Sequence, residues 1–243
     1  MPHRTRIKIC GLTRPSDLHC AAAAGADAVG FVLYPPSVRA LTPAQAGALA
    51  RLLPPFITPV LLYVNPSAAE VQAGLAEVPH ALLQFHGDES PAQCQALAQG
   101  RPYLRAARIP LGADAARFDL LEYAEQHAGA QALLLDAQVP GYGGAGHSFD
   151  WTAFDWSHPA LNASSRLVLS GGLTPANVAD GVRLLRPWAV DVSSGVEAAR
   201  GIKCPDLIAR FVAAVRLADT ALAAPQPLTS PPSCPPQPPP QLP

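Results

Sequence analysis

Short apolar runs alternate along the chain with alanine-rich stretches between Ile7 and about Leu217. Each run has the length of a strand, and each stretch between two runs leaves room for one helix and two loops. Runs such as Leu133-Leu134-Leu135 are continuously hydrophobic, as parallel strands are when both faces are covered. The pattern predicts eight strands, at Arg6–Cys10, Ala28–Leu33, Thr58–Val64, Leu82–His86, Tyr103–Arg108, Ala132–Asp136, Leu167–Ser170 and Ala189–Val192.

Helix start signals fall between these strands. Thr42-Pro43, Ser90-Pro91 and Thr174-Pro175 each place a capping side chain before a proline at the first helical position. Eight repeated βα units predict an α/β fold, a single (β/α)₈ barrel of the triosephosphate isomerase type. An open doubly wound sheet is the alternative, but eight strands and the lack of a GxGxxG turn after the first one disfavour it.

Composition supports a globular domain and excludes several classes of function. Of 243 residues, 49% are hydrophobic and 14% are charged, and the net charge is −1. A large core is therefore expected, and neither a nucleic-acid nor a membrane-surface partner is. The N-terminus lacks the apolar segment of a signal peptide, and no apolar run reaches the length of a membrane span. The five cysteines show no paired spacing, which indicates a reduced, cytoplasmic protein.

The chain ends in a proline-rich segment. Ten prolines lie between Pro225 and Pro243, with almost no charge. Such a segment lacks the backbone donors and the apolar periodicity of a packed element, so we expect an extended tail. We predict a barrel domain at 1–222 and a disordered tail at 223–243. The tail is expected to be a passive appendage, and the alternative is a docking segment for a proline-binding partner.

Ionisable side chains stand at the predicted strand ends, where barrels carry their chemistry. Cys10, His86, Asp136 and Asp191 end strands 1, 4, 6 and 8. The two-residue period of a strand places Lys8 inward below Cys10, and likewise places Gln84 below His86. A buried Lys8 needs a partner, and Asp191 is the obvious one. We also expect the Lys8 charge to lower the Cys10 pKa.

Glycine and serine residues follow strands 6, 7 and 8. Gly171 and Gly172 follow strand 7, and Ser193-Ser194-Gly195 follow strand 8. Exposed backbone N–H groups in such loops bind phosphate, and barrel enzymes hold substrate phosphates at these two positions. The glycine-rich segment 141–146, which includes Gly144, suits a loop that closes over a ligand. Tight turns and an ordinary surface loop are the structural alternatives.

These segments together resemble the phosphoribosylanthranilate isomerase family. Any one match could arise by chance, whereas the ordered set, with about one match in each barrel unit, is specific. The matching stretches are Lys8–Thr13, Gly30–Leu33 with Ser37 and Arg39, Val64-Asn65, Gln84–Ser90, Leu135-Asp136, Gly143–Gly146, Phe149–Trp151, Ser170–Leu173 with Asn177, Asp191–Glu197 and Gly201–Lys203.

The resemblance implies an Amadori rearrangement of N-(5-phosphoribosyl)anthranilate in tryptophan biosynthesis, with no metal and no cofactor. Cys10 would be the general base, Asp136 the general acid, and Arg39 a contact of the anthranilate group. The partner would be a small sugar phosphate, and the chain a monomer or a homodimer. The predicted substrate-binding residues are Arg39, His86, Gly144, Gly171, Gly172, Asp191, Ser193, Ser194 and Gly195.

Alternatives to these roles stay open at the level of sequence. A cysteine that ends a strand is more often a small buried apolar residue, and His86 could be structural. The chain also departs from the family pattern at Phe85, Val38, Ala145 and Cys204. Two rival functions are the related histidine-pathway isomerase, which resembles a two-aspartate design, and a non-catalytic sugar-phosphate-binding scaffold.

Overall fold

The computed structural model describes residues 4–138, 142, 149–151, 154, 156, 158, 161 and 166–223. Eight parallel strands pair in sequence order, and β8 closes back on β1. The predicted (β/α)₈ barrel is thereby confirmed, and each predicted strand end lies within one residue of the observed one. The strands are β1 Arg6–Cys10, β2 Ala28–Val32, β3 Thr58–Tyr63, β4 Leu82–Phe85, β5 Tyr103–Ile109, β6 Ala132–Ala137, β7 Arg166–Leu169 and β8 Ala189–Val192.

Helices follow the strands and cover the outside of the barrel. Short 3₁₀ turns occur at Gly112–Arg117 and Ser194–Val196, and β9 Glu197–Ala199 pairs with β10 Ile202–Lys203. No described helix is long and apolar enough to cross a membrane. The helices are α1 Pro15–Ala24, α2 Pro43–Ala50, α3 Ala68–Glu77, α4 Pro91–Ala98, α5 Leu120–Gln126, α6 Val178–Leu185 and α7 Pro205–Ala223.

Two of the three predicted helix starts are confirmed. Thr42 and Ser90 each cap a helix that begins with proline, and each exchanges hydrogen bonds with a glutamine three residues on. The third prediction, at Thr174-Pro175, is wrong, because α6 begins at Val178. The Asn177 side chain accepts from the Thr174 N–H at 2.8 Å and donates to the Gly172 carbonyl at 3.0 Å. These bonds close a separate turn before the helix.

Side chains alternate between two apolar layers. Leu135 packs in the large core between sheet and helices, whereas Leu134 lies in the barrel interior. Phe85, one of the departures from the family pattern, points outward and packs against Tyr63 and Tyr103. The interior cluster consists of Val60, Leu104, Ala106, Ala132, Leu134, Val168 and Ala189. Apolar side chains therefore line the lower barrel, below the polar strand ends.

The last helix ties the chain back to its beginning. Asp219 on α7 accepts from the Thr5 N–H at 3.0 Å and from the Thr5 hydroxyl at 2.6 Å. These bonds anchor the start of β1, the strand that carries Cys10. The helix ends at Ala223, so the rest of the tail predicted at 223–243, including Cys234, lies outside the described residues.

Candidate active site

The predicted strand-end residues meet at one mouth of the barrel. Cys10, His86, Asp136 and Asp191 each have less than a tenth of their surface exposed. All lie at the carboxyl ends of strands in one closed parallel barrel, which places them at the same end of the molecule. Strands β1 and β6 are separated by β7 and β8, so the thiol and the carboxyl approach from different walls.

The Cys10 thiol lies beside a buried ion pair. Lys8 Nζ donates to Asp191 Oδ1 at 2.8 Å, which confirms the pairing predicted from the two-residue period. Ser170 Oγ donates to the other Asp191 oxygen at 3.4 Å. A Cβ atom on Gly30, the facing residue of β2, would lie 2.7 Å from Cys10 Sγ and 3.1 Å from Lys8 Nζ. Glycine at position 30 therefore makes room for the thiol and the ammonium group together.

Burial dominates the ionisation of this thiol. Burial raises the Cys10 pKa, the Lys8 charge opposes that rise, and the Asp191 carboxylate adds to it, so that the net shift is upward. The Lys8 charge acts in the predicted direction, but the expectation of a lowered Cys10 pKa is wrong, because the cost of desolvating the thiolate is larger. The raised pKa favours the neutral thiol over the thiolate at neutral pH.

Lys8 keeps its charge despite its position inside the barrel. Burial lowers the Lys8 pKa, but attraction to the Asp191 carboxylate and the hydrogen bond between the two outweigh it, and the net shift is upward. The pair therefore carries a positive charge next to Cys10 together with its counter-ion.

Asp136 at the end of β6 is held by three neighbours. His86 Nε2 lies 3.1 Å from Asp136 Oδ2, and the Ala137 N–H donates to Oδ1 at 2.9 Å. Gly171 has φ +77°, and a Cβ atom there would lie 2.9 Å from Asp136 Oδ1. The loop after β7 is thus packed directly against the carboxyl group.

Arg39 is fixed by a buried carboxylate. Its Nε and a terminal nitrogen donate to the two Glu197 oxygens at 2.7 and 2.8 Å. Glu197 also accepts from Lys203 Nζ at 2.9 Å. Burial raises the Glu197 pKa, but hydrogen bonds and charge from Arg39 and Lys203 outweigh it, so the net shift is downward. The guanidinium is therefore held in one orientation by a carboxylate.

The loops after β7 and β8 pack against each other. Gly171 and Gly172 both have positive φ, as glycine readily allows. A Cβ atom on Gly195 would lie 1.8 Å from the Leu173 carbonyl oxygen, so no larger residue fits there. Lys203 Nζ donates to the Ser193 carbonyl at 2.9 Å. The residues predicted to bind phosphate are thus adjacent in space.

One described residue of the loop after β6 reaches across the mouth. Tyr142 donates its hydroxyl proton to Asp88 Oδ2 at 2.6 Å, and the Arg108 guanidinium lies 4.4 Å from the centre of its ring. The Tyr34 ring packs edge-on at 5.9 Å. Tyr142 therefore links the loop after β6 to residues of β2, β4 and β5 units. Gly144 and Ala145 lie outside the described residues.

Two buried charged side chains next to the predicted site residues were missed by the sequence interpretation. Glu197 and Lys203 lie within matched motifs, but neither was assigned a role. Both are nearly fully buried charges next to Arg39 and Ser193. The sequence does show these two opposite charges six residues apart, beside a predicted phosphate loop. It does not show that Arg39 is their partner.

Comparison with known proteins agrees with this arrangement. A family model described as N-(5'phosphoribosyl)anthranilate (PRA) isomerase matches residues 7–214. The N-(5'-phosphoribosyl)anthranilate isomerase of Methylibium petroleiphilum is 59% identical over 91% of this chain and 98% of its own length. That of Leptothrix cholodnii is 58% identical over 90% of this chain and 94% of its own length.

Solved structures give the same result. The phosphoribosyl anthranilate isomerase from Thermus thermophilus has a TM-score of 0.75 at 35% identity, covering 88% of this chain and 99% of its own. A relative in complex with reduced 1-(o-carboxyphenylamino)-1-deoxyribulose 5-phosphate has a TM-score of 0.70 at 34% identity, with coverage of 87% and 98%. A structure described as monomers generated from the dimeric isomerase of Thermotoga maritima has a TM-score of 0.72 at 33% identity, with coverage of 87% and 98%. The chain belongs to the N-(5'-phosphoribosyl)anthranilate isomerase family.

Proposed function

We propose that this chain isomerises N-(5-phosphoribosyl)anthranilate by general acid–base catalysis, with Cys10 as the base and Asp136 as the acid. Membership of the family makes it an isomerase of tryptophan biosynthesis. The assignment of roles rests on one observation, that a thiol and a carboxyl from β1 and β6 lie at the same mouth, each beside its own polar partner. Both groups lie above the apolar cluster that lines the lower barrel interior.

The reaction needs one proton donated and one removed. Asp136 gives a proton to the furanose ring oxygen, the C1–O bond breaks with its electron pair going to oxygen, and an iminium cation forms. This cation acidifies the C2 proton, which Cys10 removes as the C–H electron pair forms the enolamine. The enolamine then tautomerises to 1-(2-carboxyphenylamino)-1-deoxyribulose 5-phosphate. The residues supply general acid and base groups, which each contribute about 10²–10⁴ in rate.

Formation of the iminium also explains how a thiol of raised pKa can act as a base. A positive charge within a few ångströms favours the thiolate, as the Lys8 charge does for Cys10. Opening the sugar adds a second cation next to the thiol. The thiol therefore loses its own proton to solvent at this stage, and the resulting Cys10 thiolate takes the proton from C2.

The remaining residues bind the two ends of the substrate. Arg39 is proposed to contact the anthranilate carboxylate, because Glu197 leaves part of its guanidinium fork for another acceptor. The loops after β7 and β8 are proposed to bind the phosphate through backbone N–H groups. The complex of a relative with a reduced form of the product supports a site of this chemistry. His86, Gly144 and Asp191 complete the proposed substrate contacts.

We propose further that the chain works without a metal or cofactor, on a small sugar phosphate, in the cytoplasm. Neither a nucleic acid nor a membrane is a proposed partner. The dimeric description of one relative supports a homodimer, with a monomer as the alternative. Sedimentation equilibrium over a range of protein concentrations distinguishes the two.

Single substitutions test the roles of the two catalytic residues. Cys10→Ala and Asp136→Asn should each lower kcat by about 10²–10⁴-fold with the substrate N-(5-phosphoribosyl)anthranilate. Cys20→Ala, a change in a half-buried cysteine of α1, is the matched control and should keep full activity. Full activity in Cys10→Ala or Asp136→Asn would remove that residue from its proposed role.

A further inference from the structure

A buried glutamine stands behind the proposed acid. Gln84 on β4 is fully buried in the barrel interior, two residues before His86. Gln84 Nε2 lies 3.1 Å from His86 Nδ1, and His86 Nε2 lies 3.1 Å from Asp136 Oδ2. An unbroken line of polar contacts therefore runs from Gln84 through the imidazole to the carboxyl group. Gln84 makes no other described contact through its amide oxygen, which lacks a hydrogen-bond partner among the described residues.

The chemistry of the amide determines where the protons lie. An amide nitrogen only donates, so the facing His86 Nδ1 must be an unprotonated acceptor. The ring proton is then on Nε2, from which it is donated to Asp136. Asp136 accepts this bond and the one from the Ala137 N–H, as a carboxylate does. In this arrangement Asp136 has no proton to give.

The opposite orientation of the Gln84 amide favours the state in which the His86–Asp136 pair holds one more proton. A half turn of the terminal amide exchanges oxygen and nitrogen with almost no change of shape. The Gln84 oxygen would then accept from a protonated His86 Nδ1 and gain the partner that it lacks. With the ring proton on Nδ1, a second proton can lie between His86 Nε2 and Asp136 Oδ2, so the pair holds one proton more than in the first orientation. That proton is the one the acid must donate.

We propose that Gln84 is a positioning residue whose amide orientation sets the charge state of the His86–Asp136 pair. The proposal rests on the proposed role of Asp136 as the acid. Water supplies a proton to the pair while the amide oxygen faces Nδ1. Ring opening passes this proton to the furanose oxygen and leaves a neutral imidazole protonated on Nδ1 beside a carboxylate. Water returns one proton to the pair before the next turnover, and the amide oxygen stays bonded to Nδ1 throughout.

Other charged groups near this pair are already neutralised by partners of their own. On β5, Arg108 is in register with Asp136 and pairs with Asp88 at 2.9 Å. Arg105, also on β5, donates to the Phe85 and Gly87 carbonyls on either side of His86 and pairs with Glu89 at 2.7 Å. On β1, Lys8 pairs with Asp191 of β8 at 2.8 Å. On β7 and in the loop that follows it, Ser170 and Gly171 contribute no charge. Gln84 is therefore the group whose replacement changes the charge next to His86 most directly.

Two substitutions of similar size test the proposal, because they should move the titration midpoint of the His86–Asp136 pair in opposite directions. In Gln84→Glu, a carboxylate beside Nδ1 favours the protonated imidazole and should raise the titration midpoint of the pair by about 1–3 pH units. In Gln84→Met, the protonated ring loses its acceptor, and because bonds to charged groups are the stronger ones, the midpoint should fall. Nitrogen NMR of the labelled histidine rings measures the midpoint, and His86→Gln assigns the signal.

A surface control and an activity arm separate the possible outcomes. Gln72→Glu makes the same change on the exposed face of α3 and should leave the His86 midpoint unchanged. A structural role for Gln84 predicts an unchanged midpoint in both Gln84 variants, and this result, or a shift of both in one direction, overturns the proposal. If Gln84→Glu does not fold, the test rests on Gln84→Met alone. A lower titration midpoint than in the wild type then supports the proposal, and an unchanged midpoint overturns it.

The activity arm keeps this proposal distinct from the function on which it rests. One limb of the pH profile of kcat/KM should move with the NMR midpoint in each Gln84 variant, and the other limb should stay. Asp136→Asn should lose activity. If Asp136→Asn stays fully active, the assignment of Asp136 as the acid fails. If Asp136→Asn is inactive but both Gln84 variants keep the wild-type pH profile, the acid assignment stands and the positioning role of Gln84 fails.

Discussion

Arg39 and Glu197 form a two-pronged ion pair, although 158 residues separate them in sequence. The guanidinium donates through two nitrogens at 2.7 and 2.8 Å, and both side chains are less than a tenth exposed. Arg39 follows β2 and Glu197 follows β8, so the pair spans β1 at the barrel mouth. A bidentate pair of this kind fixes direction as well as distance. Glu197 therefore determines the direction in which the Arg39 guanidinium points.

Replacement of Glu197 by glutamine should weaken substrate binding more than chemistry. Glu197→Gln keeps the shape but removes the charge that orients Arg39 and Lys203. We expect KM for N-(5-phosphoribosyl)anthranilate to rise about tenfold with kcat changed much less, since uniform binding is lost. Steady-state kinetics measures both. Asp180→Asn breaks the exposed pair with Arg183 and serves as the control, with no change in KM. A wild-type KM in Glu197→Gln would contradict the orienting role.

Removal of the Lys8 charge should raise the pKa of Cys10 above its already elevated value. The Lys8 charge is the largest effect that opposes burial of the thiolate. Lys8→Met should therefore move the thiol titration to higher pH. The ultraviolet absorbance of the thiolate measures it, after subtraction of the same titration on Cys10→Ser.

A double variant controls for the carboxylate left behind by Lys8→Met. In Lys8→Met/Asp191→Asn, the Asp191 charge that also raises the thiol pKa is gone, so the upward shift should be smaller than in the single variant. The order wild type, double variant, single variant is the expected result. An identical thiol titration in wild type and Lys8→Met would refute the coupling.

A methyl group on Gly195 should separate the two loops proposed to bind phosphate. The added Cβ would lie 1.8 Å from the Leu173 carbonyl oxygen, a distance that only a backbone shift can relieve. Gly195→Ala should raise KM and weaken competitive inhibition by inorganic phosphate, about tenfold or more, since each 1.4 kcal/mol of lost binding is tenfold.

Gly129→Ala is the matched control for Gly195→Ala. Its Cβ would approach only the ends of the Gln95 and Tyr103 side chains, at 3.0 and 3.1 Å. It should leave KM and phosphate inhibition as in the wild type. If Gly195→Ala binds phosphate as tightly as Gly129→Ala does, the two loops do not hold the phosphate.

The stability of the fold should fall in acid through His127. Burial, with a smaller effect of the Arg105 charge, lowers the His127 pKa from 6.5 to about 4. The unfolded chain therefore binds a proton below pH 6.5 that the folded chain does not bind until about pH 4. This difference reduces the free energy of unfolding over that window by at most about 3 kcal/mol, at 1.36 kcal/mol per pKa unit.

Urea unfolding between pH 7 and pH 4 tests this prediction. His127→Phe keeps a ring against Tyr123, whose ring centre lies 4.5 Å away, but cannot titrate. Its stability should fall less steeply with acid than that of the wild type. His19→Gln, on the exposed surface of α1, should follow the wild type. Equal slopes for His127→Phe and wild type would show that another group is responsible.

The sequence by itself determined the barrel and the positions of its strand ends. Apolar runs are local, and a period of two assigns each side chain to one face without knowledge of the fold. For this reason Lys8 and Gln84 were correctly placed inward, and the Lys8–Asp191 pair followed once strands 1 and 8 were taken as neighbours. The predicted start of α6 at Thr174-Pro175 was wrong, because the Asn177 side chain closes a turn that competes with the helix.

Only the tertiary structure decided how the site residues are paired and charged. The contacts of Asp136 with His86, and of Arg39 with Glu197, join residues that are 50 and 158 positions apart, and no local pattern encodes them. The direction of the Cys10 pKa depended on the depth of burial, which the three-dimensional packing sets. Desolvation and Lys8 act in opposite directions on the same thiol. Which of them is larger is a property of the folded surroundings, because it depends on how much water the neighbouring strands exclude.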